Sequence, residues 1–135
     1  MLDWLVFRDA RTLPLAEAIE AGRLRWLATP AMRRELAHML AHTSLARWSP
    51  DREQALASFD NHALLCDEPP PSRLLCTDPD DQVFIDLALA RSADRPVTLV
   101  THDRALLKLA RRAAAHGVVV LTPAAWCARD NKTRP

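Results

Sequence analysis

The chain has 135 residues, of which 49% are apolar, a size near the commonest for one domain and a composition sufficient for one well-covered core. Its 18 Lys and Arg against 17 Asp and Glu give a net charge of +1, which argues against a strong whole-molecule field for nucleic acid. Its apolar stretches fall far short of the ~20 residues that cross a bilayer, and its three cysteines lack C-x-x-C spacing, which suits a reducing compartment. We therefore expect a single domain over residues 1–135, no membrane partner and a cytoplasmic location.

The first elements are predicted to be a helix, a short strand and a second helix. Thr12 to Gly22 carries a cap, one apolar face and a glycine stop, and Leu24 to Ala28 reads as a strand. Thr29-Pro30 is a cap and first-turn pair that starts the next helix. Glu35 falls beside the apolar stripe of that helix, so its carboxylate can point into a cleft.

The middle of the chain is predicted to hold a third helix, an edge strand and a loop. Ser49-Pro50 repeats the signal of a cap followed by proline. Ala63 to Cys66 is a brief apolar run at the end of that helix. The prolines Pro69 to Pro71 exclude both a helix and a central strand, so this segment is a loop.

The second half predicts two strands separated by helices. The acidic segment Asp78-Pro79-Asp80-Asp81 precedes a helix marked by apolar residues from Val83 to Ala88, which is a crossover into the strand Val97 to Val100. An amphipathic helix follows Asp103 and ends near Gly117. A last strand covers Val118 to Leu121. Helices alternating with β-branched runs indicate an α/β domain with a mostly parallel sheet.

Three acids are predicted to meet at one edge of that sheet. In a parallel sheet the C-terminus of each strand and the N-terminus of the next crossover helix lie at the same edge. Asp103 follows a strand, Asp81 opens the helix leading into that strand, and Glu35 lies in the second turn after the first strand. All three therefore reach the same edge.

Carboxylates brought this close repel one another unless a divalent cation neutralises them. Hard oxygen ligands suit Mg²⁺ or Mn²⁺, and such ions could activate water and stabilise the charge on a phosphodiester during hydrolysis. The same acids could equally serve a phosphatase.

Each acid taken alone has a simpler explanation. Asp78 and Asp81 are spaced as a helix cap and an N3 acid, and for Asp78 we favour the cap. Asp103 could cap the helix that follows it, and Glu35 could pair with Arg34 or Arg33 as an ordinary solvated charge. Only the joint placement of the acids favours a functional site.

At these residues the sequence resembles the PIN-domain family, and in particular its branch of toxin components of toxin–antitoxin pairs. The resemblance is spread over most of the chain, in four segments. They are Thr29 to Leu36, which matches the segment bearing the family's second acid; Cys76 to Phe84, which matches its D-P-D-D segment; Leu99 to Leu107, which matches V-T-x-D-x-x-L-L; and Leu121 to Pro123, which matches the closing L-T-P.

The resemblance implies a three-layer α/β/α fold, dependence on Mg²⁺ or Mn²⁺, and cleavage of single-stranded RNA, with an antitoxin partner and homodimer formation. It makes Glu35, Asp81 and Asp103 the catalytic metal ligands. The candidate contacts to the RNA are Thr101 at the strand end, Arg104 and Lys108. Other basic residues that could hold RNA phosphates around the cleft are Arg33, Arg34, Arg111 and Arg112, with the alternative that these are ordinary solvated charges.

The sequence departs from the family at its start. The family opens with a central strand ending in D-T-N, whose Asp is the first metal ligand, whereas Met1-Leu2-Asp3-Trp4 looks like the helix after that motif. This comparison predicts that the first central strand is missing, with Asp3 as a candidate replacement ligand. A second hypothesis is therefore a catalytically impaired PIN-like module that binds RNA or an antitoxin without cutting.

Overall fold

The computed structural model describes residues 13–41 and 49–133, so the segment Met1 to Trp4 with the candidate ligand Asp3 lies outside the described residues. Helices alternate with short parallel strands, which confirms the predicted α/β class. The chain divides into two compact units, Met1–Glu68 and Pro69–Pro135.

The first unit contains three described helices and one pair of strands. They are α1 (Leu13–Glu20), β1 (Trp26–Ala28), α2 (Pro30–Ala41), α3 (Ser49–His62) and β2 (Ala63–Leu65). The two strands are parallel, with Trp26 opposite Ala63 and Ala28 opposite Leu65. Strand β1 begins two residues later than predicted because the N–H groups of Arg23 and Leu24 still donate to the carbonyl of Ala18 at the end of α1.

The start of α2 is fixed by side chains that accept from its unpaired N–H groups. The Oγ1 atom of the buried Thr29 accepts a hydrogen bond from Met32 N at 3.2 Å, as the predicted cap requires. The Glu68 Oε1 atom accepts a second one from Ala31 N at 2.9 Å. These bonds orient the helix that carries Glu35.

The core of the first unit lies between its helices and β1. The rings of Trp26 and Phe59 meet edge to face, with centroids 5.1 Å apart and an interplanar angle of 77°. The buried apolar residues among those described in this unit are Ala16, Ala18, Ala28, Met32, Leu36 and Phe59.

The second unit contains the other strand pair and the acidic segment. Its elements are a 3₁₀ turn (Pro79–Asp81), α4 (Gln82–Arg91), β3 (Val97–Val100), α5 (Arg104–Leu107), α6 (Ala110–Ala114), β4 (Val118–Leu121) and α7 (Pro123–Thr133). Strands β3 and β4 have the predicted bounds and are parallel, with Val97 opposite Val118 and Val100 opposite Leu121. The crossover helix α4 packs on β3.

The helix predicted after Asp103 is interrupted. It ends at Leu107 and resumes at Ala110, because Leu109 N donates to Leu106 O at 2.9 Å, three residues back. Leu106 and Leu109 are both 2% exposed. A turn of three residues places side chains at this spacing on one side, so the tighter turn lets both leucines enter the core.

The core of the second unit lies between β3, β4 and the helices on them. It consists of Leu74, Ile85, Ala88, Leu106, Leu109, Ala113, Val118 and Val120. Gly117, at φ +82°, makes the turn from α6 into β4 as the sequence predicts, since other residues rarely adopt this conformation. Among the described residues no helix is both long and apolar enough to cross a membrane.

Candidate metal centre

Asp78 opens the acidic segment and caps the 3₁₀ turn. Its backbone is extended (φ −102°, ψ 112°), Pro79 follows it, and its Oδ1 atom accepts a hydrogen bond from Asp80 N at 3.0 Å. The favoured interpretation of Asp78 as a cap therefore holds. Asp81, by contrast, precedes α4 without any side-chain hydrogen bond to the helix, so capping does not explain its carboxylate.

Asp103 is positioned by the turn between β3 and α5. Its Oδ1 atom accepts a hydrogen bond from Ala105 N at 3.0 Å, so it caps α5. Its own N–H donates to Thr101 Oγ1 at 2.9 Å, and Thr101 N continues the sheet by donating to Leu121 O. Thr101, a predicted substrate contact, thus holds the backbone of Asp103.

The structure brings Asp81 and Asp103 together, with Asp78 beside them. One carboxylate oxygen from each of the three lies within 4.8 Å of the others. We call these residues the acid cluster. Asp78 was interpreted only as a cap, yet its spacing of three from Asp81, followed by proline, was a usable signal, because a turn of three residues aligns positions i and i+3.

The electrostatics of the cluster centre on Asp81. Its side chain is half-buried, and its Oδ2 atom is buried with no N–H or O–H donor of the described residues in reach. Burial, then a hydrogen bond to Asp103 and repulsion from Asp103, Asp78 and Asp80 raise the pKa of Asp81 to about 7. The bond from Asp81 and the one from Ala105 N lower the pKa of Asp103. Without a cation, Asp81 therefore keeps its proton up to a pH of about 7, whereas Asp103 loses its proton at a lower pH.

The acid cluster fits a hard divalent cation. Three oxygen donors converge, and the buried Asp81 Oδ2 lacks the hydrogen bond that a buried oxygen normally has. A cation would satisfy that oxygen and cancel the repulsion that raises the pKa of Asp81.

Glu35 lies on α2 in the first unit, with its side chain exposed. Its role as a metal ligand stays a prediction. The contact of Arg33 with RNA stays a prediction. Arg33 pairs not with Glu35 but with Asp60 on α3, in a bidentate ion pair with Nε–Oδ1 at 2.6 Å and Nη2–Oδ2 at 2.9 Å. This pair raises the pKa of Arg33 and lowers that of Asp60.

The basic residues predicted to contact RNA follow Asp103 directly. Arg104 begins α5 and Lys108 lies one turn later, and both are exposed. Arg111 and Arg112 are also exposed but belong to α6, beyond the interruption of the helix. Arg104 and Lys108 are therefore the basic residues placed closest to Asp103 along the chain.

A cavity of about 360 Å³ also lies in the second unit. Its walls are Ser72, Arg73, Leu74, Leu89, Ser92, Ala93 and His116. None of these is a predicted site residue or a member of the acid cluster. We place the candidate site at the acid cluster, because the unsatisfied buried oxygen and the raised pKa are found there.

Residues 1–105 match the family model described as the PIN domain. The chain therefore belongs to the PIN domain family. This family has a nuclease-type fold, and its members are generally metal-dependent ribonucleases. No curated protein and no solved structure matches the chain.

Proposed function

We propose that this protein is a metal-dependent ribonuclease that hydrolyses phosphodiester bonds in single-stranded RNA. The observation that carries the proposal is the acid cluster, in which one carboxylate oxygen from each of Asp78, Asp81 and Asp103 lies within 4.8 Å of the others, together with the buried, unsatisfied Oδ2 atom of Asp81. Membership of the PIN domain family supports the same chemistry.

Asp81 and Asp103 would hold Mg²⁺ or Mn²⁺, with Asp78 contributing its second oxygen while Oδ1 caps the 3₁₀ turn. Glu35 joins this ligand set on the strength of the sequence resemblance. When bound, such a cation neutralises phosphate charge and makes water more acidic. Thr101 orients the Asp103 backbone, and Arg104 and Lys108 hold the RNA phosphates.

The test is cleavage of a labelled single-stranded RNA with Mn²⁺, with and without EDTA. We expect cleavage by the wild-type chain and at least a hundredfold loss in Asp103→Asn, whose amide oxygen can still accept from Ala105 N. Asp80→Asn is the matched control, because Asp80 lies in the same loop but outside the acid cluster. Glu35→Ala tests the ligand from α2. Cleavage that survives EDTA or Asp103→Asn would contradict the proposal.

The second hypothesis, a module that binds without cutting, is favoured by one observation. Asp78 and Asp103 each accept a capping hydrogen bond from the backbone, and the raised pKa of Asp81 keeps this carboxyl group neutral below about pH 7, so the acids can coexist without a cation. This hypothesis predicts RNA binding that is independent of Mn²⁺ and no cleavage. A filter-binding assay in EDTA beside the cleavage assay distinguishes the two.

We further propose that the protein is the toxin component of a toxin–antitoxin pair, with an antitoxin partner, and forms a homodimer in the cytoplasm. The resemblance of Leu99 to Leu107 and Leu121 to Pro123 to the toxin branch supports the pairing. The free thiols of Cys66 and Cys76 support a reducing compartment. Growth arrest on expression, relieved by the product of an adjacent gene, would test the toxin role.

A further inference from the structure

The chain immediately before the acid cluster is held by a partly buried polar network on α4. Gln82, the residue after Asp81, has a side-chain amide whose hydrogen-bonding groups are all engaged. Its Oε1 atom accepts from Cys76 N at 2.7 Å, and its Nε2 atom donates to Leu74 O at 2.9 Å and to Asp86 Oδ1 at 2.8 Å. An amide with both donors and its acceptor used has one orientation, so Gln82 is fixed.

Asp86 holds the other end of this network. The residue is 8% exposed, and its Oδ1 atom also accepts from Ser72 N at 3.1 Å and from Ser72 Oγ at 2.6 Å. Three hydrogen bonds on one oxygen account for a carboxylate in this buried position. Asp86 thereby fastens Ser72 to the middle of α4, while Gln82 fastens Leu74 and Cys76 to its first turn.

The bond between Cys76 and Gln82 closes a short acidic loop. Residues 77–81 between them contain three carboxylates, Asp78, Asp80 and Asp81. Like charges at this spacing repel and tend to open the loop. The Gln82 bonds oppose that opening, and they thereby fix the positions of Asp78 and Asp81 near the two ends of the loop. Leu74 adds an apolar anchor, since it is buried in the core beneath.

We propose that Gln82, braced by Asp86, is the positioning residue of the acid cluster, keeping Asp78 and Asp81 at the separation that a divalent cation requires. This inference rests on the proposed metal-dependent function. Neither Gln82 nor Asp86 contacts the cation; they act through the backbone of the loop. Groups that orient metal-ligating side chains typically change metal affinity by 10- to 100-fold when removed.

The test is a titration of the full chain with Mn²⁺, in which binding is measured as the loss of the electron paramagnetic resonance signal of free Mn²⁺. Urea unfolding of each variant is measured in parallel. Gln82→Met keeps the length of the side chain and removes its hydrogen bonds. We expect it to weaken Mn²⁺ binding by about tenfold or more in the folded protein. The matched control is Ser92→Ala, which removes a hydrogen bond to Leu89 O (2.9 Å) at the other end of α4 and should lower stability without changing Mn²⁺ affinity.

Ser72→Ala is the milder second variant, because it removes the Ser72 Oγ bonds to Asp86 Oδ1 (2.6 Å) and Leu74 O (3.5 Å) but keeps the bond from Ser72 N to Asp86, and it tests the network even where Gln82→Met does not fold. It should weaken Mn²⁺ binding by a few-fold. If the wild type binds Mn²⁺ and the folded variants of Gln82 and Ser72 bind it equally well, the positioning role is wrong while the proposed function stands. If the wild type does not bind Mn²⁺, the proposed function itself fails and the inference falls with it.

Discussion

The carboxyl group of Asp81 lies where an ionised form is unfavourable in the metal-free protein. Burial is the first cause, and the neighbouring acids add to it, so that its pKa rises to about 7. In the unfolded chain the same group titrates near pH 4, at about 3.9. Between these two pH values the folded state binds more protons at Asp81 than the unfolded state does. The contribution of Asp81 to stability is therefore fully present below about pH 4. That contribution is lost as the pH rises to about 7.

Asp81→Asn should therefore stabilise the metal-free protein at neutral and alkaline pH. The asparagine carries no charge and can still donate to Asp103. We expect the difference in free energy of unfolding between Asp81→Asn and the wild type to grow from pH 4 to pH 7, reaching about 1 kcal/mol after allowance for solvent screening. Above pH 7 the difference should stay constant. Urea unfolding in EDTA from pH 4 to pH 8.5 measures this difference.

The lowered pKa of Asp103 affects stability at a pH below the range of about 4 to 7 in which Asp81 changes the stability. Its contribution to stability is present above the pKa of the unfolded chain and is lost only as the pH falls through the lower folded value. Asp80→Asn serves as the control, because Asp80 contributes only charge repulsion to Asp81. A stability difference for Asp81→Asn that does not change with pH would contradict the raised pKa of Asp81.

At the scale of the elements, local patterns predicted most of the fold. Strands Val97–Val100 and Val118–Leu121 were predictable because short β-branched runs lie between turn signals. The meeting of Asp81 and Asp103 followed from the rule for parallel sheets, without any knowledge of packing. The interruption at Lys108 and Leu109 was not predictable, since neither residue breaks helices and the cause is burial of leucines in the tertiary structure.

The same contrast explains what was missed in the candidate site. The spacing of three between Asp78 and Asp81 indicates their approach only if the segment forms a 3₁₀ turn, and the cap pattern alone does not distinguish that turn from an α-helical one. The network of Gln82 and Asp86 joins residues up to 14 positions apart along the chain, and no periodic pattern marks it. Interactions that depend on how a loop folds back onto a helix are not encoded in local spacing.

The cap of α2 provides a prediction at this scale. Thr29→Ala removes the acceptor for Met32 N and leaves a buried N–H group without its partner. We expect the free energy of unfolding to fall by about 1 to 2 kcal/mol. Thr29→Ser keeps the hydroxyl and should lose much less. Equal losses in the two variants, measured by urea unfolding, would show that the methyl group rather than the cap is responsible.

The charge of the whole molecule limits how it can attract RNA. Eighteen basic residues against 17 acidic ones leave a net charge of +1, and Arg33 is already paired with Asp60. Long-range attraction is therefore weak, and affinity for RNA must come from a few local contacts beside the acid cluster. Arg104 and Lys108 are exposed on the helix that starts after Asp103, so they are the contacts that we expect.

Replacing Arg104 and Lys108 together by alanine should therefore weaken RNA binding more than catalysis. We expect KM for a single-stranded RNA to rise several-fold with kcat little changed, because phosphate contacts act in both the ground state and the transition state. The slope of log affinity against log salt should decrease by about 1.4, which corresponds to two phosphate contacts at about 0.7 each. Arg95→Ala is the matched control, since this exposed arginine precedes β3, at the end of the strand opposite Asp103. A fall in kcat at constant KM, or a salt slope equal to that of the wild type, would show that these residues do not bind RNA phosphates.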